Sequence, residues 1–153
     1  MTTETIEMTV SESLTVSADR AWSVVGGFDW LPAISTPTSS SALSNGGRVR
    51  TLVNRDGSIL WERMLHFDDA ERSLSYEIID DKGCETMAYG TGFIGSVQVV
   101  PIDADNSTFR YIARFSPRVG VTPNQAREAV TRFVGDCAAG VHRALGRGTT
   151  QLL

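Results

Sequence analysis

Cysteine and histidine are scarce in this 153-residue chain: two of each. Cys84 and Cys137 lie far apart, with no CxxC pair and no Cys/His spacing of the kind that builds a metal site, so no metal is expected. Basic clusters are absent too. Lys and Arg total 14 against 18 Asp and Glu, a net charge of −4, which argues against a nucleic-acid partner. No segment approaches the roughly 18 consecutive apolar residues that a bilayer span requires. The first apolar run is broken by Glu4, Glu7 and Glu12, which is unlike a signal peptide. The expected location is therefore a reducing cytoplasm with both thiols free. No internal repeat or linker divides the chain, so residues 1–153 are expected to form a single domain, with a tail fraying after Gly146.

What is present is strongly patterned. Residues 5–15 alternate, with Ile6, Met8 and Val10 against Glu7, Thr9 and Ser11, the period of a half-buried strand. Ser17 is placed to cap a short helix that stops at Gly26-Gly27. A second short turn covers 28–34, and the Ser/Thr-rich stretch 35–41 reads as loop or edge strand. Strands are then predicted over 48–54, 58–67, 73–79, 87–100 and 107–116. The gaps between them carry Asp, Gly and Asn turn chemistry. Such short gaps favour antiparallel hairpins.

The chain closes on a long helix. Thr122 is its cap, Pro123 fits the first helical position, and Gln125 completes a capping box. Ala126, Val130, Phe133, Val134, Cys137, Val141 and Leu145 recur every three or four residues as one apolar stripe. Gly135 and Gly140 interrupt this helix, which implies either close packing or some give. The expected architecture is α+β: an antiparallel sheet of six to seven strands curved around one long C-terminal helix, with two short helices after the first strand. Such a grip leaves a space between sheet and helix, and ligands occupy spaces of this kind.

Residues 57–68 carry the chemistry. In a strand, Leu60, Glu62, Met64 and His66 share one side. A carboxylate among apolar neighbours is costly to bury without a partner, so Glu62 is the first candidate for a polar group inside a cavity. The opposite assignment has Trp61, Leu65 and Phe67 facing the core and Glu62 in solvent. The alternation alone does not separate the two.

The order of elements resembles the Bet v 1-like helix-grip superfamily, also called START or SRPBCC. Four segments carry the likeness: Ser17–Val25 the first-helix motif, Gly57–Asp68 with Glu62-Arg63 the "G…ER…D" strand, Arg72–Ile78 the strand after it, and Tyr89-Gly-Thr91 the "Y-x-S/T" strand. By resemblance, Glu62, Tyr89 and Thr91 face the cavity and meet polar ligand atoms. The receptor branch of the superfamily has a Ser-Gly-Leu-Pro gate, whereas here Asn54-Arg-Asp-Gly57 forms a tight turn. Asp80–Cys84 stands where those receptors carry their latch. The resemblance is therefore to the bacterial polyketide cyclase/dehydrase-like branch.

These readings converge on a small cofactor-independent enzyme acting on a hydrophobic aromatic or polyketide-like molecule by a cyclase, dehydratase or other lyase-type step. The alternative is a non-catalytic carrier of a lipid or aromatic molecule. Glu62, Tyr89 and Tyr76 form the expected acid/base set. Trp30, Met64, Thr91, Phe93, Phe133 and Cys137 are expected at the ligand, although ordinary core packing also accounts for the apolar ones. His66 is either a second base or a surface residue near a strand end. Arg63, Arg110 and Arg114 are expected to point outward, and His142 to be inert. The sequence does not set the oligomeric state, and a homodimer stays open.

Overall fold

The computed structural model describes residues 4–151, with side chains described through Leu145. Its elements run β1 (Ile6–Leu14), α1 (Ala18–Val25), α2 (Leu31–Ile34), β2 (Thr38–Ser44), β3 (Val49–Asn54), β4 (Ile59–Asp68), β5 (Ser73–Lys82), β6 (Ile94–Pro101), β7 (Ser107–Phe115) and α3 (Pro123–Gln151). The strands form one curved antiparallel sheet in the order β1-β7-β6-β5-β4-β3-β2. Every neighbour is a chain neighbour except β1, which closes against β7 with Ile6 opposite Phe115. This is the expected helix-grip architecture, with seven strands and two short helices after β1.

Alternation decides which face of the sheet is buried. On β7, Phe109, Tyr111, Ala113 and Phe115 point inward, while Arg110 and Arg114 are exposed on the outer face. On β5, Leu74, Tyr76 and Ile78 do the same. Each large apolar side chain buried in this way contributes ~1.5–3 kcal/mol relative to exposure. The inner face is covered by α3, which packs on β1 and β7 and meets α1 and α2.

The helix starts as its sequence dictates. The Gln125 amide N–H donates to the Thr122 hydroxyl at 3.1 Å, and Thr122 N–H donates to the Gln125 side-chain oxygen at 2.9 Å, a reciprocal capping box. Ala126, Val130, Val134, Cys137, Ala138 and Val141 are buried along its inner stripe. Gly140 resolves the ambiguity of the helix glycines. A Cβ there would lie 2.1 Å from the Ile34 carbonyl oxygen and 2.4 Å from its Cα, so α2 and α3 touch backbone to backbone. At Gly135 the nearest atom is a Glu12 carboxylate oxygen, 3.3 Å away. The helix continues to Gln151, past the Gly146 limit read from the sequence, and residues 152–153 of the expected frayed tail lie outside the described residues.

Two expectations need correction here. His142 is not idle: its Nε2 accepts the Thr15 backbone N–H at 3.0 Å and ties the end of β1 to α3. The predicted strand over 87–100 begins only at Ile94. Residues 84–93 form a loop instead, held by the Gly92 N–H donating to the Ile78 carbonyl and the Phe93 N–H donating to the Gly90 carbonyl. Gly92, at φ 96°, takes the chain out of the strand conformation there.

Candidate functional site

The site is built on the β3–β4 hairpin. Its loop is three residues long, with Gly57 N–H donating to the Asn54 carbonyl and Asn54 N–H donating to the Ser58 carbonyl. Gly57 takes φ 88°, the left-handed position that ends this loop type. The Asp56 carboxylate accepts from Ser58 N–H and Oγ, and the Ser58 hydroxyl holds its pKa below the ordinary range. This loop sets the register at Leu52↔Leu60 and Arg50↔Glu62.

Arg50 is fully buried, and the Glu62 side chain is 4% exposed. Arg50 Nε donates to Glu62 Oε1 at 2.7 Å, and Nη2 lies 2.6 Å from the same oxygen without hydrogen-bond alignment. Nη1 donates to the Phe28 carbonyl at 3.0 Å. The guanidinium carbon sits 4.4 Å from the Phe28 ring centroid and 4.8 Å from that of Tyr76. Burial pushes the Glu62 carboxyl above the usual glutamate range, and Arg50 pulls against that rise. Glu62 Oε2 accepts no hydrogen bond among the described residues, and Glu62 lines the main cavity.

That cavity has a volume of about 570 Å³. Leu31, Leu52, Leu60, Ile78, Phe93 and Phe133 give it a mainly apolar wall, and Glu62 and Tyr89 add polar groups. Tyr89 stacks on Phe93 at 4.3 Å between centroids. Its hydroxyl is raised well above the ordinary tyrosine pKa by burial first and by the Glu62 charge second, so it stays protonated and can donate. The cavity thus offers a carboxylate acceptor and a phenol donor inside an apolar volume.

Of the residues predicted from sequence, Glu62, Tyr89, Phe93 and Phe133 come together at this cavity. The others lie elsewhere. Tyr76 turns its hydroxyl to Tyr111 and its ring to Arg50, and Gly95 makes room, since a Cβ there would lie 2.3 Å from the Tyr111 hydroxyl oxygen. Trp30 is buried beside Arg50, and Met64 and Cys137 pack in the core rather than against the cavity. Thr91 is exposed, and its N–H and hydroxyl donate to Asp81 at 2.9 and 2.7 Å. His66 does not share the face of Glu62. An extra residue between Met64 and His66 interrupts pairing with β5, and His66 lies in an outer hollow with Ser75, Gln98 and Arg110. Arg63 points outward as expected and pairs with Glu77 at 3.0 Å.

Sequence reasoning missed Arg50, the partner that makes burial of Glu62 tolerable. It also missed Arg132 and Asp136 at the cavity rim, which fall outside the apolar stripe of α3. No group of three or more His, Cys, Asp and Glu side chains capable of holding a metal occurs among the described residues. No helix among them is long and apolar enough to cross a membrane.

Comparison with known proteins agrees with this geometry. The family model described as polyketide cyclase/dehydrase and lipid transport matches residues 5–146. The chain belongs to that family. A solved structure of an uncharacterized Bacillus thuringiensis protein is 30% identical, with a TM-score of 0.80, covering 92% of this chain and 99% of its own. The ZhuI aromatase/cyclase from a Streptomyces species shares the fold at 17% identity and TM-score 0.70, covering 98% of this chain and 97% of its own. Norcoclaurine synthase from Thalictrum flavum, solved with dopamine and hydroxybenzaldehyde, shares it at 16% identity and TM-score 0.69, covering 95% and 88%. No curated protein matches the sequence. Family membership accounts for the helix-grip scaffold and does not by itself assign a function to this cavity.

Proposed function

We propose that this protein binds an aromatic or polyketide-like hydrophobic molecule in the cavity and performs cofactor-independent acid/base chemistry on it. The observation that carries this reading is the Oε2 of Glu62, which accepts no hydrogen bond among the described residues, on a side chain lining a mainly apolar cavity of about 570 Å³ alongside Tyr89. That volume lies in the range of small-molecule sites, ~300–1,000 Å³.

Glu62 is the base and Tyr89 the hydrogen-bond donor. For a β-hydroxy ketone, Glu62 takes a proton from the carbon beside the carbonyl while Tyr89 stabilises the developing enolate oxygen. The C=C bond then forms as the β C–O bond breaks, and the hydroxyl leaves as water with the proton Glu62 held. No net oxidation occurs, so no redox cofactor is needed. Arg50 positions Glu62 and opposes the rise in its pKa that burial causes.

The test uses a bicyclic aromatic β-hydroxy ketone, with loss of water read by mass spectrometry. Turnover by the native protein, lost in Glu62→Gln and reduced in Tyr89→Phe with the probe still bound, supports the proposal. Turnover unaffected by Glu62→Gln overturns the mechanism. A second reading, a carrier, is favoured by the predominance of apolar walls. It predicts that the probe is retained in native mass spectrometry and recovered unaltered.

A further inference from the structure

The rim of the cavity carries two cations with no carboxylate partner among the described residues. Arg132, on α3, is exposed and lines both the main cavity and a second hollow of about 490 Å³ between α3 and the 84–93 loop. Glu128 and Asp136 lie one helical turn to either side of Arg132, yet it forms no ion pair or hydrogen bond among the described residues. Arg55, also at the rim, is held by Nε donating to the Thr36 carbonyl at 2.6 Å and has no carboxylate partner among the described residues.

The two carboxylates at the same rim are already engaged. Asp136 accepts from Thr36 N–H at 2.9 Å and from its hydroxyl at 2.7 Å. Asp56 accepts from Ser58 N–H at 2.9 Å and from its hydroxyl at 2.6 Å. The rim therefore presents one guanidinium, Arg132, with no acceptor among the described residues, a second, Arg55, held only by a backbone carbonyl, and carboxylates bonded to Thr36 and Ser58 instead of to either arginine. A chain of net charge −4 repels anions at long range, so attraction of an anion has to come from such local groups.

We infer that the ligand is an amphipathic anion whose apolar body fills the cavity and whose carboxylate or phosphate stays at the rim on Arg132, with Arg55 as the second cation. This rests on the cavity being a ligand site, as proposed above, and adds a charge requirement to it. Guanidinium groups suit planar oxyanions, which accept two parallel N–H donors. Because Arg132 borders both hollows, an anionic group there can be followed by a further substituent lying under Met87 and Val121, toward the second hollow.

The experiment compares 2-naphthoate, 2-naphthyl phosphate and the neutral 2-naphthamide by Trp fluorescence or calorimetry, on the native protein, Arg132→Gln and Arg55→Gln. Both residues are exposed at the rim, so neither variant threatens the fold. Loss of one charge-assisted contact is expected to weaken the anions ~10-fold in Arg132→Gln, with a smaller loss in Arg55→Gln and no change for the amide. Added salt should weaken the anions selectively. The better of the two anions identifies the group. If anions and amide bind the native protein equally and Arg132→Gln changes neither, the anion site is wrong while the cavity reading stands. If none of the three binds, both fail.

Discussion

Arg50 and Glu62 face each other across β3 and β4 with both side chains buried, so each is the other's only charge partner among the described residues. Their energetic roles are unequal. Arginine cannot shed its proton in a protein interior, so Glu62 is what allows Arg50 to stay buried. Removing either side chain alone leaves a charge or an acid without its partner. Arg50→Met or Glu62→Leu should each cost ~3–5 kcal/mol in urea denaturation, while the double replacement Arg50→Met with Glu62→Leu should recover most of that loss. Additive losses in the double variant would contradict the pairing.

Gly140 and Gly135 should respond oppositely to alanine. At Gly140 the new methyl meets the Ile34 backbone, which cannot move without separating α2 from α3. Gly140→Ala is expected to destabilise by ~1–3 kcal/mol or more, as overpacking does. At Gly135 the nearest neighbour is the mobile end of Glu12, so helix propensity decides, and alanine should be neutral or stabilising by up to ~1 kcal/mol. Thermal melts of the two variants check the contrast.

Asp81 should make the loop that carries Tyr89 acid-sensitive. Its carboxylate receives Thr91 N–H and hydroxyl and the Arg118 guanidinium. Burial alone would raise its pKa, but the Thr91 and Arg118 hydrogen bonds outweigh it and hold the group below the ordinary aspartate value. A depressed folded-state pKa means that the stabilisation is complete above ~4, the unfolded value, and is lost as pH falls through the folded one. Hydrogen-exchange protection of residues 84–93, corrected for the intrinsic pH dependence of amide exchange, should therefore fall at low pH, and Asp81→Asn should show low protection at neutral pH with little further acid response.

All three tyrosines, Tyr76, Tyr89 and Tyr111, should resist ionisation. Burial raises each, and nearby charges add to the rise at Tyr89 and Tyr111. A raised folded-state pKa stabilises the fold fully below ~10, the unfolded value, and that contribution falls as pH climbs above it. Ultraviolet titration should show no tyrosinate at the ordinary midpoint, then cooperative appearance of all three with alkaline unfolding. A single tyrosine titrating near its ordinary value would place it in solvent.

Much of the fold was legible because periodicity and turn chemistry agree along most of the chain. The alternation of β1 and β7 and the capping box of α3 are local signals that tertiary packing does not override. The Arg50–Glu62 pair was not legible because it depends on register. An Asp56-Gly57 turn read as a two-residue loop would set Glu62 opposite Thr51. The three-residue loop ending at Gly57 shifts the pairing by one and brings Arg50 onto the inner face beside it. His66 failed for a related reason, since the extra residue before it reverses the alternation that Glu62 and Met64 obey. Thr91 lies in a loop that the strand-like run 87–100 concealed, where Gly90 and Gly92 were the available warning. Trp30, Met64 and Cys137 are apolar, and nothing in a single sequence separates cavity wall from filled core.

The most direct test of the account is a two-dimensional amide NMR titration of the native protein with 2-naphthol, a neutral aromatic probe. The account predicts saturable shifts concentrated at Leu60, Glu62, Ile78, Tyr89, Phe93 and Phe133 around the inner cavity, with the outer hollow at His66 and Arg110 unaffected. Shifts confined to the outer face, or none up to the solubility of the probe, would contradict it.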